Sequence, residues 1–174
     1  MTNTSKNKGS GGERELVKYL IKVFGGSWIR TPHSGAYTGR SNAKRLKILS
    51  ETQGKSLSND IVPPDEYPHC AVECKFYKDF SFNMLMDPKG YAQLNEWIEQ
   101  VEESGIDMEK NFPMICFKIN NKGWHTVVWS DKIKDFDLKN INYNVYNHKD
   151  CEFKIFHMET FIDRYLEKLK ECFR

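Results

Sequence analysis

The chain has 174 residues, of which 39% are hydrophobic and 29% are charged. This length and apolar content suit one domain of moderate size with a single core. The formal net charge is only +2, so the total charge does not by itself indicate a nucleic-acid partner. The polar start lacks the apolar stretch of a signal peptide, and no apolar run is long enough to span a bilayer. We therefore expect a cytoplasmic protein without membrane contact.

Cysteine usage points to the same compartment. The five cysteines are Cys70, Cys74, Cys116, Cys151 and Cys172. Their number is odd and none form a Cys-x-x-Cys pair, so the sequence predicts neither a zinc site nor a disulfide framework. Reduced thiols, as in most cytosolic proteins, are the simpler interpretation.

The first third of the chain predicts a tail, a helix, a strand and a long loop. Residues 1–11 contain almost nothing to bury and are predicted to be a flexible basic tail. Apolar residues at helical spacing predict a helix over 13–24, which two glycines end. A short strand is expected at 27–31. Residues 32–59 carry five basic residues against one acid and predict a long basic loop, a kind of segment that is usually functional or disordered.

The rest of the chain predicts strands and helices in alternation. Strands are expected at 60–62 and 69–76, and an apolar stripe predicts a helix from Pro88 to about Gly105. The later elements are a hairpin at 113–129, a further strand pair at about 145–156 and a helix at 159–171. This order predicts an α/β fold, a central mixed β-sheet flanked by helices. We expect one domain over 12–174, with a core at 12–130 and a C-terminal extension at 131–174.

The chemistry is expected at Asp60 and at the strand that contains Glu73, Cys74 and Lys75. Side chains alternate across a strand, so Glu73 and Lys75 share one face while Cys74 points into the core. A hairpin could bring the Asp60 carboxylate beside that of Glu73. Two adjacent carboxylates repel each other unless a cation neutralises them, and oxygen ligands suit Mg²⁺. Lys75 could then orient or deprotonate a water, or stabilise charge on a phosphate.

A Glu-x-Lys strand by itself is weak evidence, because surface strands carry this pattern by chance. Its setting strengthens the functional interpretation. Ala71 and Val72 precede the triplet, Phe76 follows it, and an Asp-Ile-Val strand lies just upstream. Charged residues in a strand of this apolar character need a reason.

Several segments in order resemble the PD-(D/E)XK nuclease superfamily. They are Lys8-Gly9, Glu13-Arg14-Glu15-Leu16, Asn59-Asp60-Ile61-Val62, Ala71-Val72-Glu73-Cys74-Lys75 and Gly123-Trp124. Within the superfamily, the chain is most similar to archaeal-type and phage Holliday junction resolvases, over residues 6–129. The resemblance implies a restriction-endonuclease-like core and a Mg²⁺-dependent homodimer, with Mn²⁺ as a substitute metal. Such an enzyme would cut four-way DNA junctions in recombination and repair, in the cytoplasm of a cell or of a phage host.

The resemblance also assigns roles to residues. It implies that the metal is held by the side chains of Glu13, Asp60 and Glu73 and the backbone carbonyl of Cys74. Lys75 is the implied catalytic lysine. The residues implied to lie against DNA are Arg14, Arg30, His33 and Ser34.

Three features depart from that family pattern. The loop at 32–59 is longer than in the compact archaeal enzymes, residues 131–174 match nothing in them, and Cys74 replaces the usual β-branched residue. The loop's basic run either is solvated or contacts phosphates, and its position before Asp60 favours DNA contact by Arg40, Lys44, Arg45 and Lys47.

Some alternatives stay open at this point. Glu13 and Glu15 could both be solvated acids favoured near a helix N-terminus, an interpretation we prefer for Glu15. Gln93 is either a polar site residue on the helix after the Glu73 strand or an exposed helix glutamine. His69, His125, His148 and His157 show no ligand spacing and are expected to be structural or on the surface.

Two other functions remain alternatives to junction resolution. A nuclease of the same superfamily could act in restriction, nicking or repair, with the basic loop and the C-terminal extension as specificity elements. The chain could also be a DNA-binding module that has lost catalysis, or a structural protein with an incidental Glu-x-Lys strand.

Overall fold

The computed structural model describes residues 4–31 and 59–174, and it describes side chains from residue 11 onward within those ranges. Most of the predicted basic loop lies outside the described residues. The predicted DNA contacts that fall there are His33, Ser34, Arg40, Lys44, Arg45 and Lys47.

The described residues form one seven-stranded sheet, three α-helices and two short 3-10 helices. In chain order they are α1 (Thr4–Phe24), β1 (Ile29–Arg30), β2 (Ile61–Val62), β3 (Cys70–Tyr77), a 3-10 helix (Phe82–Met86), α2 (Ala92–Glu102), β4 (Phe112–Ile119), β5 (Gly123–Trp129), a 3-10 helix (Ser130–Ile133), β6 (Tyr143–His148), β7 (Cys151–His157) and α3 (Met158–Phe173). The strand order is β1-β2-β3-β4-β5-β7-β6. Only β3 and β4 pair in parallel, and the other neighbours are antiparallel. The predicted mixed α/β sheet is confirmed.

Helices cover both faces of the sheet. Alternate residues of each strand point to opposite faces, so both faces carry side chains that pack against helices. One face packs against α1 and α3 through buried side chains such as Leu16, Leu20 and Phe161. The other face packs against α2 through Leu94 and Trp97. We call these the α1 face and the α2 face. A central strand that is buried on both faces has a nearly continuous run of apolar residues. Strand β4 is such a strand.

Helix α1 begins at Thr4 rather than near Glu13, so residues 4–11 are helical where a flexible tail was predicted. Once its second half is packed on the sheet, each added residue extends a helix that already has its nucleus. Gly12 lies where α1 passes closest to β3. A Cβ atom at this position would stand 2.9 Å from Cδ2 of Phe76, so the glycine permits the close approach.

Helix α2 begins at Ala92, four residues after the predicted start at Pro88. Gly90 explains the delay, since its φ of 77° lies in the left-handed region and interrupts a right-handed helix. The predicted hairpin is confirmed as β4 and β5.

The segment predicted as a C-terminal extension is part of the same sheet. Strand β7 pairs with β5, β6 pairs with β7, and α3 lies on the α1 face. The chain therefore has no structural break at residue 130 between the described elements. No described helix combines the length and the apolar character that crossing a membrane requires.

Candidate active site

Asp60 is held against β3 by a backbone hydrogen bond. Asp60 directly precedes β2, and Ile61 of β2 pairs with Val72 of β3. The Cys74 N–H donates to Oδ2 of Asp60 at 2.9 Å. Asp60 is only 8% exposed, so this carboxylate has left bulk water for a fixed position beside the Glu73–Lys75 triplet, as the predicted hairpin requires.

The triplet on β3 is divided between the two faces of the sheet. Cys74 joins the core of the α1 face, as predicted. Glu73 and Lys75 are on the α2 face, where Nζ of Lys75 lies 2.6 Å from Oε1 of Glu73. Their side chains are 7% and 13% exposed. The strand thus presents a buried acid and amine together.

Burial and neighbouring charge make Glu73 an unusual acid. Burial raises the pKa of Glu73 to about 7, and the Asp60 carboxylate adds to the rise while Lys75 opposes it. The pKa of Lys75 is raised as well: burial lowers it, but attraction to Glu73 and Asp60 outweighs the burial. Lys75 therefore carries its proton at neutral pH. Its single positive charge lies beside two carboxylates, Glu73 and Asp60, which repel each other.

Glu13 approaches the same site from α1. Its Oε2 lies 3.2 Å from an Arg30 guanidinium nitrogen on β1. Burial and the Asp60 charge raise the pKa of Glu13, and Arg30 opposes the rise. Asp60 is therefore close enough to act electrostatically on both Glu13 and Glu73. Arg14, the neighbouring predicted DNA contact, is exposed on α1.

Within residues 4–31 and 59–174, no group of three or more His, Cys, Asp or Glu side chains is arranged to hold a metal ion. The donor set nevertheless fits a divalent cation. Asp60 and Glu73 offer two buried carboxylates whose mutual repulsion a cation would relieve. The backbone N–H and C=O of one strand residue point in the same direction. The Cys74 N–H points toward Asp60, so the Cys74 carbonyl oxygen points toward Asp60 as well. Mg²⁺ retains several waters and needs few protein ligands.

Gln100 belongs to the site and was missed in the sequence. Its Oε1 accepts from Nζ of Lys75 at 2.7 Å, and its Nε2 donates to Oε1 of Glu73 at 3.0 Å. Gln93 instead accepts from the hydroxyl of Tyr91. The two glutamines are seven residues apart and so share one helix face, which is the signal that could have drawn attention to Gln100.

Glu15 is exposed, as the solvated interpretation expects, and it also forms specific hydrogen bonds. Its carboxylate accepts from Nζ of Lys118 at 2.6 Å and from Nε1 of Trp124 at 3.0 Å. These bonds lower the pKa of Glu15, the largest cause being the bond from Lys118. Glu15 thus links α1 to β4 and β5, two residues from Glu13.

Comparisons with known proteins indicate a family for the chain. A family model described as "Phage putative PDDEXK endonuclease" matches residues 4–172. The chain is also similar to Protein D14 of Escherichia phage T5, with 27% identity over 158 residues that make up 89% of each chain. No solved structure shows significant similarity to the chain.

Proposed function

The chain belongs to the phage PD-(D/E)XK endonuclease family, and we propose that it is a Mg²⁺-dependent endonuclease that cleaves branched DNA, with four-way junctions as substrate. The observation that carries the nuclease activity in this proposal is the cluster of buried Asp60 and Glu73 with the largely buried Lys75. Two carboxylates and a protonated amine, held together out of water, are suited to phosphodiester hydrolysis.

Asp60 and Glu73 are the proposed metal ligands, with the Cys74 carbonyl as a third. Glu13, which pairs with Arg30 in the structure, is proposed to join them when the metal binds. PD-(D/E)XK nucleases generally use divalent metal ions. A bound Mg²⁺ would polarise the scissile phosphate and lower the pKa of a coordinated water. Mn²⁺, which accepts the same oxygen ligands, is expected to substitute for it.

Lys75 is the proposed catalytic amine. Its raised pKa favours a proton donor over a general base, so its ammonium group would stabilise the negative charge that develops on the phosphate. Glu73 and Gln100 fix Nζ from two sides at 2.6 and 2.7 Å. Arg30, which pairs with Glu13, and Arg14 are proposed to contact a neighbouring phosphate.

Branched DNA as substrate and a homodimer are proposed from the resemblance to junction resolvases. Two active sites related by symmetry could cut matching strands of a four-way junction. We further propose that the protein acts where such junctions arise, in the cytoplasm of the cell or phage host. Restriction, nicking and repair activities share the same catalytic cluster, so substrate choice needs its own test.

The test compares a synthetic four-way junction with a linear duplex that contains the same sequences, each with Mg²⁺ and then with EDTA. We expect symmetric cuts in the junction at a rate at least tenfold above cleavage of the duplex, and none in EDTA. Equal cleavage of both substrates would contradict junction specificity and leave the nuclease standing.

Asp60→Asn separates an enzyme from an inactive DNA-binding module. The substitution removes a carboxylate while it keeps an acceptor for the Cys74 N–H. We expect cleavage to fall by at least 100-fold and Mn²⁺ affinity, measured by calorimetry, to fall with it. Unchanged metal affinity in a folded Asp60→Asn protein would show that the metal site is assigned to the wrong residues.

A further inference from the structure

A second group of basic side chains lies at the far end of a row of residues that crosses the sheet from the catalytic cluster. The registers of β3, β4, β5 and β7 place Lys75, Phe117, His125 and His157 in one row across the sheet. Neighbouring strands are about 4.8 Å apart, so His157 lies about 14 Å from Lys75 along the row. Lys122 is in the turn between β4 and β5, three residues before His125.

The position of His157 is well defined. Its ring centroid is 5.7 Å from that of His125, which stacks on Phe117 at 5.3 Å. Nδ1 of His157 lies 3.3 Å from the Thr160 hydroxyl, which leaves Nε2 for another partner. Gly123 has a φ of 81°, and a Cβ there would stand only 3.3 Å from that Nε2. The glycine keeps the space beside Nε2 open.

The charges around this row favour an anion. Burial lowers the pKa of His125, and both His157 and Lys122 lower it further, so His125 is neutral at pH 7. Its uncharged ring contacts the rings of Phe117 and His157. Among the residues that the structure describes, neither Lys122 nor His157 forms an ion pair with an acid, and both are exposed. Lys118, by contrast, is neutralised by Glu15 at 2.6 Å.

We infer that Lys122 and His157 bind a backbone phosphate of the DNA substrate, an inference that rests on the proposed function. One strand of B-DNA carries a phosphate every 3.4 Å along its axis. The separation of about 14 Å from Lys75 equals about four base-pair steps of the DNA axis, so one arm of the DNA is long enough to reach both the catalytic cluster and this site. This phosphate site would fix the direction in which the DNA leaves the catalytic cluster.

The experiment measures DNA affinity in an Asp60→Asn background, so that cleavage does not interfere. Fluorescence anisotropy with a labelled four-way junction is recorded over a range of salt concentrations for Lys122→Ala, His157→Gln and the double variant. We expect Kd to rise about tenfold in the double variant at 0.1 M salt. The slope of log K against log salt should become shallower by about 0.9 for each lost phosphate contact.

Lys134→Ala is the matched control, because Lys134 is also exposed and follows β5 at the opposite end of the sheet. It should leave both Kd and the salt slope unchanged. Wild-type Kd and slope in a folded double variant, or an equal loss in the Lys134 control, would overturn the inference.

The outcome is separable from that of the proposed function. If the wild-type protein cleaves no DNA with Mg²⁺ while the double variant still binds DNA more weakly, the nuclease proposal fails and the phosphate site stands. If the wild type cleaves and the double variant binds normally, the opposite holds.

Discussion

Lys75 is held by Glu73 on its own strand and by Gln100 on α2, and these two contacts differ in what they do. Glu73 is buried beside Lys75, and its charge raises the pKa of the amine. Gln100 is exposed and is expected to orient the amine. Gln100→Ala should lower kcat by about tenfold, because one hydrogen bond to a charged group contributes about 1.5 kcal/mol. KM for DNA should hardly change, since Gln100 is expected to position Lys75 rather than to bind substrate.

Gln93→Ala is the control for this positioning role. It removes a glutamine of the same face of α2 whose partner is the Tyr91 hydroxyl. Steady-state cleavage of a junction substrate should give wild-type constants for Gln93→Ala. An equal loss of kcat in both variants, or a rise in KM alone for Gln100→Ala, would contradict the assignment.

Glu73 should make the metal-free protein less stable as the pH rises. Its pKa is about 7 in the folded protein, against 4.5 for an unperturbed glutamate. Because the folded value is the higher one, its contribution to stability is complete below pH 4.5 and is lost as the pH rises through 7. Between pH 4.5 and 7.5 the free energy of unfolding should fall by about 3 kcal/mol more in the wild type than in Glu73→Gln.

The measurement is urea denaturation in EDTA at several pH values, with the Glu73→Gln protein as reference. Titrating groups that do not interact with Glu73 affect both proteins alike and cancel in the difference. Parallel loss of stability in the two proteins would show that folding does not raise the pKa of Glu73.

At the scale of elements, patterns within one strand were predictable and contacts between elements were not. The alternation of Glu73, Cys74 and Lys75 in β3 follows from strand geometry alone, so the faces of these three residues could be predicted. The link from Gln100 to Lys75 depends on how α2 crosses the sheet, which periodicity does not specify. An exposed glutamine on a helix gives no sign of such a partner.

The two errors at helix starts have physical causes that local propensity misses. Residues 4–11 contain no apolar stripe, yet they extend a helix whose later residues are anchored on the sheet. Pro88 is a common first helical residue, but Gly90 adopts a left-handed conformation two residues later. The bond from Glu15 to Lys118 joins positions 103 residues apart, and no spacing rule connects such residues.

At the scale of the whole molecule, residues 131–174 contribute strands and a helix to the same sheet and core as the proposed active site. The resemblance to junction resolvases ended near residue 129, so these residues could only be predicted as an extension. The structure places β7 beside β5 and packs α3 next to α1 on the α1 face. Helix α1 carries Glu13, so α3 supports the wall of the proposed active site.

Phe161 tests whether α3 is integral, because it is fully buried and stacks on Phe156 of β7 at 4.5 Å. Phe161→Ala should reduce the free energy of unfolding by about 3–5 kcal/mol through lost burial and the cavity left behind. Val145→Ala, in the same segment but 44% exposed, should change it by less than about 0.5 kcal/mol. Urea denaturation should show one transition in both variants. A loss below about 1 kcal/mol for Phe161→Ala, or a second transition for the C-terminal segment, would mean that residues 131–174 fold apart from the active site.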